Sequence, residues 1–169
     1  AGDDCRTAQD IVSYGAAAAR IYPTVVFDGT PLARMMRDGT YQPLTVDDAV
    51  ARAADAYEIL TEGGVRCLRI GLCASEELTD PACALAGPNH PALGELVLGE
   101  VRYRETVRAV ADAGLTGRRV ALEIPDRLVS QTVGQRRRNL IRLKEEYQTT
   151  VVSVTGIPGD GVLSVRPAE

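Results

Sequence analysis

A chain of 169 residues holds one ordinary domain, or the end of one plus a small second domain, and excludes a complete large enzyme. With 45% hydrophobic and 25% charged residues, the composition is that of a globular protein and excludes intrinsic disorder and a fibrous class. The formal net charge of -4 conceals an uneven distribution: residues 1–98 carry 7 Arg against 14 acids, while residues 99–147 carry 10 Arg and one Lys against 7 acids, which points to two functional surfaces.

The chain opens on Ala1-Gly2-Asp3-Asp4, which is acidic and lacks an initiator Met, so the start reads as a cut rather than a beginning. Residues 7–14 read as the end of a helix stopped by Gly15. The run Arg20-Ile21-Tyr22-Pro23-Thr24-Val25-Val26-Phe27, closed by Asp28-Gly29, predicts a strand with an irregularity at Pro23, beside a ligand site. A short helix over 31–38 follows. Thr45 with Asp48 forms a start resembling a capping box, for a helix whose apolar stripe is Val46, Ala49, Val50, Ala53, Tyr57 and Leu60. Residues 65–71 alternate as a strand. The running order of strands and helices predicts a parallel α/β layer.

Residues 74–94 read as a long loop around Gly87-Pro88-Asn89-His90-Pro91, functional or a linker. A helix over 96–113, a strand over 119–124, two helices to Val133 and over 138–147, and a strand over 149–155 complete the pattern. The tail 161–166 offers one more strand. No apolar run reaches the length of about eighteen residues that a spanning helix requires, and no secretory signal is present. The expected protein is soluble and cytoplasmic, with no membrane partner.

Cys5, Cys67, Cys73 and Cys83 match no C-x-x-C metal spacing, so free thiols are expected and no metal is assigned. His90 lacks an evident Ser, Cys or metal partner, and its expected part is to fix its proline-rich loop. The segment Val133-Gly134-Gln135-Arg136-Arg137-Arg138-Asn139-Leu140 lies between two predicted helices. Its spacing resembles the core of a KH domain, in which two glycines let backbone approach the phosphates of single-stranded nucleic acid. Gly134 supplies the first glycine, and Arg137 stands where the second would be. Three arginines at a helix start oppose the macrodipole unless a phosphate lies between them. The competing reading makes Arg136, Arg137 and Arg138 surface charges offset by Glu145 and Glu146. Gln131 and Asn139 flank the turn, placed either to contact sugar and base edges or to cap helix ends.

The runs RIYPTVV, GTPLARMMRDGTYQPLTVDDAV, VRCLRIGL, GPNHPALGELV and RLVSQTVGQRRRNLIRLKEEY resemble, in that order, the C-terminal half of bacterial radical S-adenosylmethionine proteins of the Elongator catalytic subunit type. The resemblance covers nearly the whole chain. It implies an α/β fold made of the last units of a partial radical S-adenosylmethionine barrel, with an accessory helix and strand, over residues 1–94. A small KH-like α+β element follows over 95–169. In that family three cysteines of a C-x-x-x-C-x-x-C-like loop hold a four-iron four-sulfur cluster that cleaves S-adenosylmethionine, and Elongator-type members modify the wobble uridine of transfer RNA. Members with an acetyltransferase domain use acetyl-CoA. Nothing after residue 147 is long enough for that domain, so the resemblance is to the shorter bacterial branch.

By position, the resemblance places Arg20, Tyr22 and Thr24 on the last barrel strand and Arg69 on the strand beside it, lining the cofactor or substrate side. For Arg20 and Arg69 the alternative is an ion pair with a neighbouring acid. Gln131, Gly134, Gln135, Arg136, Arg137, Arg138 and Asn139 become the RNA-contacting set, with transfer RNA as the partner. The chain has no C-x-x-x-C-x-x-C, and its opening AGDD is similar to the end of the turn after the fifth barrel strand. The implied protein is therefore a fragment that lacks the N-terminal barrel half, holds no cofactor itself and is inactive alone. Self-association through open strand edges is expected. Two other functions stay open: a nucleic-acid-binding module without catalysis, and a radical enzyme acting on a small molecule, as coproporphyrinogen oxidases of this chemistry do.

Overall fold

A computed structural model describes residues 2–169, which fall into two compact units, Ala1–Val97 and Leu98–Glu169. The first unit contains α1 (Gly2–Ser13), β1 (Ala18–Ile21), β2 (Val26–Phe27), α2 (Pro31–Arg37), α3 (Val46–Glu62), β3 (Arg66–Ile70), α4 (Glu76–Thr79) and β4 (Ala84–Ala86). Helix α5 (Leu93–Asp112) begins in this unit and continues into the second. There it is followed by β5 (Arg119–Pro125), a 3-10 turn at Asp126–Leu128, α6 (Val129–Val133), α7 (Arg138–Tyr147), β6 (Thr150–Ile157) and β7 (Ser164–Pro167).

The expectation of an α/β fold holds, but the strands do not make one parallel layer. They form three small sheets: parallel β1 with β3, antiparallel β2 with β4, and the order β6-β5-β7. The strand expected over 20–27 is divided. Pro23 has no N–H to give a ladder, so β1 ends at Ile21, and Val26–Phe27 pairs instead with Ala84–Ala86. The long loop expected over 74–94 accordingly contains a helical turn and a strand. At the start, Gly2-Asp3-Asp4 is not a turn after a strand but the first turn of α1, where two aspartates complement the positive end of the helix dipole.

Helix α3 is built as its sequence dictates. The hydroxyl of Thr45 accepts from the Asp48 backbone N–H at 3.1 Å, which satisfies one orphan donor of the first turn, and donates to the Asp48 carboxylate at 2.6 Å, which fixes the cap. Its stripe buries Ala56 and Leu60 with Ala8 of α1 and Val65, and Ile21 of β1 packs on that cluster. The core of the second unit gathers Tyr103 and Val110 of α5, Val120 and Leu122 of β5, Leu143 of α7, and Leu115. These contacts hold α5 and α7 against the sheet and thereby place the turn between α6 and α7.

One polar cluster in that unit was not evident in the sequence. Glu100 takes Arg104 at 3.1 Å and Arg142 at 2.6 Å, and Arg142 also reaches Glu146 at 3.1 Å. The Arg142 guanidinium stacks 3.9 Å over the Tyr103 ring, a cation–π contact, and the Tyr103 hydroxyl donates to Glu146 at 2.5 Å. Burial and the Glu146 carboxylate push the Tyr103 phenol above its ordinary 10.0. The Tyr103 hydroxyl and then Arg142 hold the Glu146 carboxyl below its ordinary 4.5.

The two shifts act on opposite sides of neutrality. The lowered Glu146 contributes stability that is present above the ordinary carboxylate range and is lost as pH falls through its folded value. The raised Tyr103 contributes stability present below about pH 10 and lost as pH rises through its folded value. In Tyr103→Phe the alkaline loss should disappear, at a cost near neutrality of about 1–2 kcal/mol for the missing charge-assisted hydrogen bond. Thermal melts between pH 3 and 11 read both effects, and an unchanged alkaline limb would show that the phenol does not govern it.

Candidate functional site

In the first unit, the C-terminal end of β1 opens on a cavity of about 430 Å³ whose walls include Arg20, Tyr22 and Thr24, with Ile11 of α1 and Ala53 of α3 beneath them. Three of the four residues expected to line a barrel are thus brought together, and Arg69 lies outside this wall. Arg69 is nonetheless adjacent, because Arg20 and Arg69 are direct partners in the parallel register of β1 and β3. Both are exposed. Neither has a carboxylate partner among the described residues; the Arg69 guanidinium donates to the Cys73 sulfur at 2.8 Å. The ion-pair alternative for these two arginines is therefore not what the structure contains. Like charges opposite one another on neighbouring strands repel, and an anion between them would relieve that.

Sequence reasoning passed over Tyr41, Gln42 and Arg52, which complete the polar wall of the same cavity. Arg52 carried a usable signal, since it interrupts the Ala49 and Ala53 side of α3 with a charge. It donates from Nε to Asp4 of α1 at 2.5 Å, and that hydrogen bond raises its pKa further. The pair ties α1 to α3 at the rim. Tyr41 and Gln42 come from an irregular segment with no periodicity to read.

The bend that carries Tyr22 and Thr24 depends on a glycine far along the chain. Gly87 has φ +112°, and a Cβ there would lie 2.7 Å from the Thr24 carbonyl oxygen and 3.1 Å from the Val25 Cα. Backbone conformation and close approach both demand glycine. Gly87→Ala should cost of order 1–3 kcal/mol and displace Thr24. A lowered melting midpoint with changed amide shifts at residues 22–25 is the expected outcome; an unaltered spectrum would show that the segment yields freely.

His90 lines a separate cavity of about 310 Å³. Its Nδ1 accepts from the Ala92 backbone N–H at 3.1 Å, so one ring nitrogen serves the proline-rich segment, as its sequence context indicates. The four cysteines are free. Burial pushes the Cys67 thiol up, and the hydrogen bond to Asp80 does the same to Cys83, which disfavours the thiolate a metal requires. Among the described residues no group of three or more His, Cys, Asp or Glu is placed to hold a metal ion.

In the second unit the basic turn is unusual in its backbone. Gly134, at φ 73° and ψ 164°, occupies a region open essentially to glycine alone. Only Arg138 of the three arginines belongs to α7; Arg136 and Arg137 stand before it in left-handed conformations with φ 51° and 63°. The departure at Arg137 is thus one of side chain and not of backbone, because the arginine takes a conformation that favours glycine. Two consecutive arginines there store strain of order 1 kcal/mol each. Gln135, Arg136, Arg137 and Arg138 are exposed, and Gln131 is half-buried. The expected offset by Glu146 is absent, since that carboxylate serves Tyr103 and Arg142.

Asn139 does not share the surface of the turn. It is 6% exposed, and its amide nitrogen donates to the carbonyls of Gly99 at 2.8 Å and Gln131 at 3.1 Å. Both amide hydrogens are committed, so Asn139 shapes the turn from below. A Cβ on Gly134 would meet its Cγ at 3.0 Å, a second reason for glycine at that place.

Among the described residues no helix is long and apolar enough to cross a membrane. Over residues 16–103, just over half of the chain, the sequence matches the family described as Radical_SAM C-terminal domain. No curated protein and no solved structure matches it.

Proposed function

Because this chain belongs to the Radical_SAM C-terminal domain family, we propose that it is the C-terminal portion of a radical S-adenosylmethionine enzyme of the Elongator catalytic subunit type, acting on the wobble uridine of transfer RNA. In this reading residues 1–94 are the last units of a partial barrel. Arg20, Tyr22, Thr24 and Arg69 face its cofactor or substrate side. Residues 95–169 are a KH-like element that grips RNA phosphates through Gln135, Arg136, Arg137 and Arg138. The protein works in the cytoplasm with transfer RNA as partner.

The family implies a four-iron four-sulfur cluster and S-adenosylmethionine. When bound, these supply a carbon-centred radical that abstracts hydrogen from the substrate. The thiols described above do not fit such a cluster: they stand apart, and Cys67 and Cys83 are held protonated. No step through the cluster is therefore assigned to residues of this chain. What the chain offers the reaction is positioning. The Arg20 and Arg69 pair presents two guanidinium groups to an anion, and the apolar floor of the cavity excludes water from one side of it.

The observation that carries the RNA reading is the exposed turn Gln135–Arg138, which places Arg136 and Arg137 in left-handed conformations directly before Arg138 at the start of α7. A loop at ordinary φ values would cost less and hold the same charge. Strain retained at an exposed, charged turn marks a functional geometry. Titration of transfer RNA into the chain at several salt concentrations tests it, with log K expected to fall by about 2–3 units per tenfold rise in salt. Binding indifferent to salt, or no binding, would overturn the RNA reading and leave the family membership standing.

A further inference from the structure

The three-stranded sheet of the second unit has two edges, β6 and β7, on either side of β5. A strand edge offers a row of N–H and C=O groups to any other extended chain, and native proteins guard such edges with charge, proline or cover. The two edges here are treated differently. β7 is short and ends on Arg166 and Pro167, of which one carries a charge and the other has no N–H to donate. β6 runs for eight residues, Thr150–Ile157, with no charged residue and no proline.

The outer side of β6 is open. No residue of the strand is buried, and Val152, Ser153 and Thr155 are exposed, whereas β5 beside it is buried along most of its length. The pairing of β6 is with β5 alone, so the N–H and C=O groups on its other side have no backbone partner among the described residues. Val152 is the extra residue of a bulge, where the register shifts between Val120 and Ala121. From Ser153 to Ile157 the pairing is regular, which leaves an uninterrupted stretch of bare edge as long as an ordinary strand.

The occupant that these features suit is a second copy of this chain. Ser153–Ile157 carries no charge, so pairing it with itself sets no like charges opposite one another, and its Val, Thr and Ile residues favour paired strands. A two-fold axis uses the same patch on both copies and consumes both bare edges at once. The joined sheet has the order β7-β5-β6-β6-β5-β7, with a guarded edge at each end, so association stops at two.

We infer that the chain forms a symmetric dimer by antiparallel pairing of Ser153–Ile157 with the same segment of a second copy. The contact is small, and a dissociation constant in the micromolar to millimolar range is expected. Neither the basic turn nor the cavity at the end of β1 supplies a residue to the pairing, so the dimer stands if the RNA reading or the radical enzyme reading fails.

Sedimentation velocity of the full chain at rising concentration, with amide NMR shifts followed in parallel, tests the dimer. A monomer–dimer equilibrium without larger species is expected, with concentration-dependent shifts centred on Ser153–Ile157. The double variant Ser153→Lys with Thr155→Lys changes two exposed side chains on one face of the strand and sets cations against those of the second copy. It should keep the parent fold and dimerise at least tenfold more weakly; Thr155→Lys serves alone if the double variant does not fold. The inference is overturned by a chain still monomeric at about 1 mM, by larger species that grow with concentration, by shifts centred on β1, β3 or another edge, or by a lysine variant that dimerises as the parent chain does.

Discussion

Replacing Arg136, Arg137 and Arg138 together by alanine should weaken transfer RNA binding and flatten its dependence on salt, by about 2–3 units in the slope of log K against log salt. Each phosphate contact accounts for about 0.7 to 0.9 of a unit, and three side chains that each neutralise one phosphate account for the range. The fold should survive. Arg136 and Arg137 are exposed and form no side-chain hydrogen bond among the described residues, so their truncation removes charge and not packing. Arg137→Gly separates the two contributions further: it relaxes a φ of 63° and should stabilise the second unit by about 1 kcal/mol while lowering the slope by about one unit. A triple variant with the parent slope would remove the RNA reading, because no other exposed run of three cations occurs in this sequence.

The second large effect is expected at Asn139, beneath the same turn. Asn139→Ala removes the side-chain donor that reaches the carbonyls of Gly99 and Gln131. Two buried hydrogen bonds at about 1 kcal/mol each, with the space left by the truncated side chain, give about 3 kcal/mol. For a unit of this size that lowers the melting midpoint by more than about 10 °C. Asn139→Asp should be worse than alanine. It keeps the shape but turns an acceptor, charged at neutral pH, towards two carbonyl oxygens with no donor to offer. Both variants should also weaken RNA binding, since Gly134 rests on the Asn139 side chain and the arginines follow from it. Calorimetric melts and the same salt titration measure the two consequences, and an aspartate variant as stable as the parent would contradict the assigned hydrogen bonds.

These two positions differ in how they could be read. Arg136 to Arg138 are a run of like charge next to a glycine, visible as a motif because solvent-exposed charge leaves a local pattern. Asn139 lies within the same motif and reads there as a surface contact. Its role is set by Gly99, forty residues away along the chain, and no local rule connects them. Likewise Arg20 and Arg69 were legible as polar interruptions in strands. That they stand opposite each other was not, because register between distant parallel strands is decided by α3 and the core beneath it.

The division of the strand expected over 20–27 has the same origin. Pro23 announced an irregularity, and it occurs there. That the second half would pair with Ala84–Ala86 required Gly87 to approach Thr24 closely, a contact between segments whose own sequences predict only an extended run and a loop. The polar wall of the first cavity was legible only in part for a related reason. Arg52 betrays itself as a charge in an apolar stripe, while Tyr41 and Gln42 lie in a segment without period.

What the sequence determined by itself was whatever rests on short-range physics. That includes helices whose caps and stripes are local, notably α3 with Thr45, the mixed α/β class, the arginine run and the family. What only the tertiary structure decided was which strands meet, that Asn139 is a buried strut, and that β6 stands at the edge of its sheet. Capping, periodicity and exposed charge involve neighbours within a few residues, and the chain carries them in its order. Register and burial, and the bond from Asn139 to Gly99, depend on partners far away along the chain, and they exist only once the core has brought those partners together.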